Sequence, residues 1–179
     1  MPIIFQDMLR TDGRNNDGGL LVFTYWALYT DILTFPKVPA APAVLADAVT
    51  IASPFVMKTG KRFWQFQSTL LTSSLDSEGV GERDGRSAEN KITLKRTGNE
   101  AEIIGWLEQV KNSDLILIAT QISGSRRVIG SEGLPASLEK FSIKSGAAVK
   151  DEISVTAEFM SVGRIAPFYT AAVPLTPAV

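Results

Sequence analysis

The chain has 179 residues, 45% of them hydrophobic, with 18 basic against 19 acidic side chains and a net charge of −1. This composition predicts one domain with an ample core and no overall attraction to nucleic acid or anionic membrane. Cysteine and histidine are both absent, which removes disulfides, thiolate nucleophiles, the commonest general base and the commonest metal ligand.

The N-terminal arm, about residues 1–19, carries Ile3, Ile4, Phe5, Met8 and Leu9 without an evident local partner, then Asn15-Asn16-Asp17-Gly18-Gly19, residues that tolerate positive φ. No basic stretch precedes an apolar one, so no secretion signal is expected. Residues 20–29 are aromatic and aliphatic and predict strand; they are about half as long as a membrane helix. The expectation is a soluble protein that works where it is made.

Three prolines in Phe35-Pro36-Lys37-Val38-Pro39-Ala40-Ala41-Pro42 exclude helix and central strand and predict an extended connector. A short strand is expected over 48–52, a turn through Gly60, and the longest strand over 62–72, with Gln65, Gln67 and Thr69 on one side. Residues 73–87 lose the apolar pattern and gain Ser, Asp, Glu, Arg and three glycines. They predict a long solvated loop that a partner would order.

Lys91-Ile92-Thr93-Leu94-Lys95 alternates with the period of a half-buried strand, Ile92 and Leu94 inward. A helix over about 99–111 follows, with Asn99 and Glu102 spaced as a capping box. At about 100° per residue, Ile103, Leu107 and Val110 superpose and Ile104 and Trp106 flank them. Burying the four aliphatic side chains would contribute roughly 6 to 12 kcal/mol as an upper bound. Asn112-Ser113-Asp114 ends the helix, and Leu115-Ile116-Leu117-Ile118-Ala119 predicts a strand covered on both faces. The helix is expected to lie across a sheet that contains its own flanking strands.

Beyond it, Ser123-Gly124-Ser125 predicts a hairpin and residues 131–135 a turn. Residues 137–143 and 151–160 form a last strand pair. In the second, Ile153, Val155, Ala157 and Phe159 alternate with Glu152, Ser154, Thr156 and Glu158, one face to the core and the other to water. The C-terminal arm, residues 167–179, is apolar and uncharged and is expected to dock on something. Several strands with one clear helix predict a mainly β fold, a β-sandwich or barrel with one flanking helix.

Motifs of chemistry are weak. Ser137-x-x-Lys140 and Lys58-Thr59-Gly60 match serine-lysine hydrolase elements, but the first falls on a predicted strand and the two occur in the wrong order. The glycines of Gly79-Val80-Gly81-Glu82-Arg83-Asp84-Gly85 do not open a helix, as a nucleotide loop must. Asp76, Glu78, Glu82 and Asp84 do not follow the EF-hand order. Glu152 and Glu158 would lie about 20 Å apart on a strand, too far for a glycosidase pair. No nucleophile, base and oxyanion site assemble, so no enzyme is expected.

Gly85-Arg86-Ser87 leading into a strand, the helix, the strand 115–120, Arg127-Val128-Ile129-Gly130, Ser145-Gly146-Ala147-Ala148 and Ala166-Pro167-Phe168-Tyr169-Thr170 occur in an order that resembles bacteriophage tail tube proteins. The resemblance runs from Gly81 to the C-terminus, about half the chain. It implies a single β-barrel domain related to the tube proteins of contractile injection machines, forming homohexameric rings that stack into a hollow tube. It also implies a virion tail protein assembled in the host cytoplasm, with itself and other tail proteins as partners, DNA in transit without sequence-specific binding, no membrane and no cofactor.

In such a subunit, the loop 73–87, with Asp76, Glu78, Gly79, Gly81, Arg83 and Asp84, and the C-terminal arm, with Phe168, Tyr169, Val173 and Leu175, would contact neighbouring subunits. Glu152, Ser154, Thr156 and Glu158 are the candidates for the lumen, and Ile103, Leu107 and Val110 for the helix core. Other ring-forming tail proteins, such as a terminator or connector, or a small β-barrel module for an apolar ligand, are the alternatives.

Overall fold

The computed structural model describes residues 4, 6–8 and 18–178. Most of the N-terminal arm therefore lies outside the described residues. The strands are β1 (Leu20–Leu28), β2 (Ile32–Thr34), β3 (Thr50–Ile51), β4 (Val56–Met57), β5 (Trp64–Gln67), β6 (Ser74–Val80) and β7 (Ser87–Thr97). Then come helix α1 (Ala101–Val110) and strands β8 (Leu115–Gln121), β9 (Arg126–Ile129), β10 (Ser137–Lys144), β11 (Ser154–Gly163) and β12 (Phe168–Tyr169).

Two sheets carry the fold, a six-stranded one in the order β3-β12-β9-β8-β1-β5 and a four-stranded one in the order β10-β11-β7-β6; β2 and β4 pair separately. The chain is mainly β, a sandwich of sheets with one flanking helix.

The unbroken apolar run of β8 explains how the layers stack. Leu115, Leu117 and Ala119 point into a first core against Ile92 and Leu94 of β7, Val155, Ala157 and Phe159 of β11, and Ile103, Leu107 and Val110 of α1. Ile116 and Ile118 point the other way, into a second core with Ile32, Phe55, Met57, Phe63 and Tyr169. A strand between two cores has no wet face, so it cannot alternate. The second core is roofed by the β2–β4 pair, the proline connector through Phe35 and Val38, and Val173, Leu175 and Ala178 of the C-terminal arm.

Helix α1 is the crossing between sheets, since β7 before it and β8 after it belong to different ones. The expected sheet holding both flanking strands is thus corrected. Trp106 spans the gap, its ring 4.7 Å from Phe66 and 5.9 Å from both Trp26 and Phe159. Ile103, Leu107 and Val110 are buried as expected, but Ile104 keeps 38% of its surface in water. The N-cap is Glu100, without a side-chain cap bond, so the Asn99 capping box does not form.

Two further expectations change. The stretch 62–72 yields only the four-residue β5, and the longest strand is β7. Residues 73–87 are not a long loop: Ser74–Val80 forms β6, paired antiparallel along β7 from Ser74↔Thr93 to Val80↔Ser87. Its polar side chains concealed the strand, because β6 is an edge that only Leu75 ties to the first core.

Candidate assembly edges and wet face

The four-stranded sheet is dry on one side and wet on the other. On the wet side Lys140, Glu158, Thr93 and Ser74 lie on one level across the strands, and Met160, Lys91 and Asp76 on the next. Thr156 takes its expected place between Ser142 and Lys95. Ser154, in contrast, is buried with its hydroxyl unpartnered. Glu152 precedes β11 and reaches across to Lys95 at 2.7 Å. Ile153, expected in the core, also precedes the strand and is exposed.

The face is therefore mixed in sign rather than acidic. Lys91 lies 3.1 Å from Glu139 and 4.0 Å from Glu89. The hydrogen bond and charge of Glu139, followed by the charges of Glu89 and Glu158, raise the Lys91 ammonium above its ordinary range.

Both edges of this sheet are long, β6 with seven residues and β10 with eight. The six-stranded sheet instead ends on β3 with two residues and β5 with four, the short edges that resist further pairing. Among the described residues, no backbone hydrogen bond reaches the outer side of β6 or β10. Among the described residues, Asp76 and Glu78 of β6 make no ion pair, nor do Lys140 and Lys144 of β10. On the dry side of β10, Phe141 and Ile143 remain 51% and 42% exposed. Of the remaining loop candidates, Gly79 is in β6, while Gly81, Arg83 and Asp84 form the tip of the β6–β7 hairpin, with positive φ at Gly81 and Asp84.

The C-terminal arm, expected to dock on something, docks within its own subunit. Phe168 and Tyr169 pair in parallel with Thr50 and Ile51, and Phe168 also opposes Arg127 of β9. Backbone bonds from Phe63 N–H to the Pro174 carbonyl, at 2.9 Å, and from Ala178 N–H to the Lys61 carbonyl, at 3.1 Å, hold the end. The Tyr169 hydroxyl accepts from Phe55 N–H and donates to the Ala172 carbonyl. Burial pushes its phenol up, against the opposing pull of Phe55 N–H and the Arg126 charge. Val173 and Leu175, partly buried, pack on the second core; Phe168 is the most exposed of the four, beneath the Arg127 guanidinium.

Sequence reasoning missed Asn90. It is buried in β7, accepts from Ser77 Oγ and Ala166 N–H, and donates to the Arg164 carbonyl, so it ties β6 and the strap after β11 to one point. Its parity with Ile92 and Leu94 puts it on the dry face, but nothing local shows that Ser77 and the strap would satisfy its amide there. Beside it runs an open apolar groove of 570 Å³ between the proline connector, the Gly130–Leu134 turn and the end of β11.

Among the described residues no group of acidic side chains is placed to hold a metal ion, and no helix is long and apolar enough to cross a membrane. The chain matches no protein-family model, no curated protein and no solved structure.

Proposed function

We propose that this protein is a structural subunit of a phage tail tube, one of six in a ring, the rings stacking into a hollow conduit for DNA. One observation carries the reading: a sheet with a dry face, a wet face and two long open edges. Successive antiparallel pairing makes β6 and β10 run in opposite senses. Rotating a copy about a common axis then sets one subunit's β6 antiparallel to the next subunit's β10, and the contact repeats until the ring closes.

Barrels of about 16 to 18 strands already enclose an aqueous channel; six subunits would supply about 24. The wet face, with Thr156 and Glu158 at its centre, would line that channel. Two of its lysines, Lys91 and Lys95, are answered by carboxylates, so these two would grip phosphate weakly. The resemblance of residues 81–179 to tail tube proteins supports the same reading.

Negative-stain microscopy and light scattering of the purified protein test it. Rings or tubes are the expected result; a folded monomer at every concentration, after long incubation, overturns it. The groove favours a second reading, a module for an apolar ligand, which predicts a monomer that saturates with an apolar fluorescent probe.

A further inference from the structure

We propose that subunits join in one register, in which Ser74, Asp76 and Glu78 of β6 oppose Lys144, Ser142 and Lys140 of β10 in a second copy. The inference rests on the ring reading and specifies its seam. Three independent features select this register.

The first is face parity. Wet-face residues of β6 must meet wet-face residues of β10, so allowed registers differ by steps of two residues. Within one subunit Ser74 is level with Lys140. Keeping that level across the seam would leave about half of each edge unpaired. A shift of about four residues aligns both edges along their full length, which is about one residue of stagger per strand. Eight-stranded barrels with a shear of eight have this ratio, and their strands tilt by about 36°. The tilt required for closure is thus already present in the offset between β6 and β10.

The second is charge. Inside the subunit Glu78 faces Glu89 directly across the ladder, an unfavourable pair. The proposed register sets Lys140 on the other side of Glu78 and leaves Asp76 diagonal to both Lys140 and Lys144. A register two residues shorter would bring Glu78 against the bulged segment around Leu138 and Glu139, adding a third carboxylate.

The third is the dry face. The same alignment sets Leu75 of one copy beside Ile143 of the other, and Ser77 beside Phe141. Leu75 already leans on the first core, so Ile143 gains an apolar neighbour where it now meets water.

Because the chain has no cysteine, introduced thiols report the seam directly. Full-length protein carrying Glu78→Cys with Lys140→Cys is oxidised after assembly and run on a denaturing gel beside Asp76→Cys with Lys140→Cys. A ladder of covalent multimers from the first pair, with at least about a tenfold weaker one from the second, is expected. The reverse ranking overturns the register while leaving the seam between these strands. Rings without a ladder from either pair overturn the seam, with the tube reading intact. Folded monomer alone overturns both. In parallel, Glu78→Lys or Lys140→Glu should raise the concentration for half-assembly by about tenfold or more, and the two together should restore it; an unrestored double variant counts against the pair.

Discussion

Thr24 illustrates how much a single hydroxyl can cost. It lies fully buried on β1 opposite Phe66, and its Oγ1 has no partner among the described residues. Thr24→Val keeps the shape and removes the unpaired group, so a urea titration should find stability unchanged or raised by about 1 kcal/mol. A loss of that size would mean the hydroxyl is satisfied in solution. At Asp151 the carboxylate accepts from Ala147 and Ala148 N–H at 2.9 and 2.8 Å, and these bonds hold its pKa below the ordinary 3.8. The sign follows: a depressed carboxylate contributes order above its unfolded pKa and loses it as pH falls through the folded one. The Ala147 and Ala148 amide resonances should therefore titrate together with a midpoint below 3.8, and fail to do so in Asp151→Ala.

At the scale of elements, the helix and the C-terminal arm make opposite demands. Leu107→Ala should destabilise the fold by roughly 2 to 5 kcal/mol, the range for a buried leucine. Ile104→Ala, at a part-exposed position, should cost less than about half of that, and Gln109→Ala almost nothing. Equal losses at 104 and 107 would mean that the helix is rotated on its core. Because the arm roofs the second core, deleting residues 171–179 should lower the thermal midpoint of the monomer itself. An unchanged monomer with weakened assembly would instead return the arm to the interface. Tyr169 adds a pH test. Its raised phenol favours docking below the ordinary tyrosine value of 10.0, and that contribution is lost as pH rises through the folded value. C-terminal digestion by carboxypeptidase should accelerate there.

For the whole molecule, the two sheets divide labour. The six-stranded one is enclosed between two cores, whereas the four-stranded one leaves its wet face and both edges open. Hydrogen exchange can separate these roles. Amides of Leu115–Ala119 should be protected in monomer and assembly alike, while those on the outer sides of Ser74–Val80 and Ser137–Lys144 should exchange rapidly until rings form. Equal protection in both states would place the contact elsewhere.

Local chemistry by itself determined what repeats along the chain: the alternation that makes β7 and β11 strands, the 3.6-residue spacing that selects Ile103, Leu107 and Val110, and the apolar run that buries β8 on both faces. Those patterns are legible because each residue's surroundings follow from its place in the repeat. Tertiary structure decided everything that depends on which element lies next to which. Polar Ser74–Val80 is a strand because β7 offers it a ladder, not because its side chains prefer one. Ser154 is buried at a wet-parity position, and Asn90 under the strap, by neighbours far along the chain. The C-terminal arm is docked because Thr50, Ile51 and Phe63 wait for it more than a hundred residues upstream. Periodicity encodes one residue's relation to its own element; it carries no information about long-range pairing, which is settled only when the layers close and each edge either finds a partner or is left open.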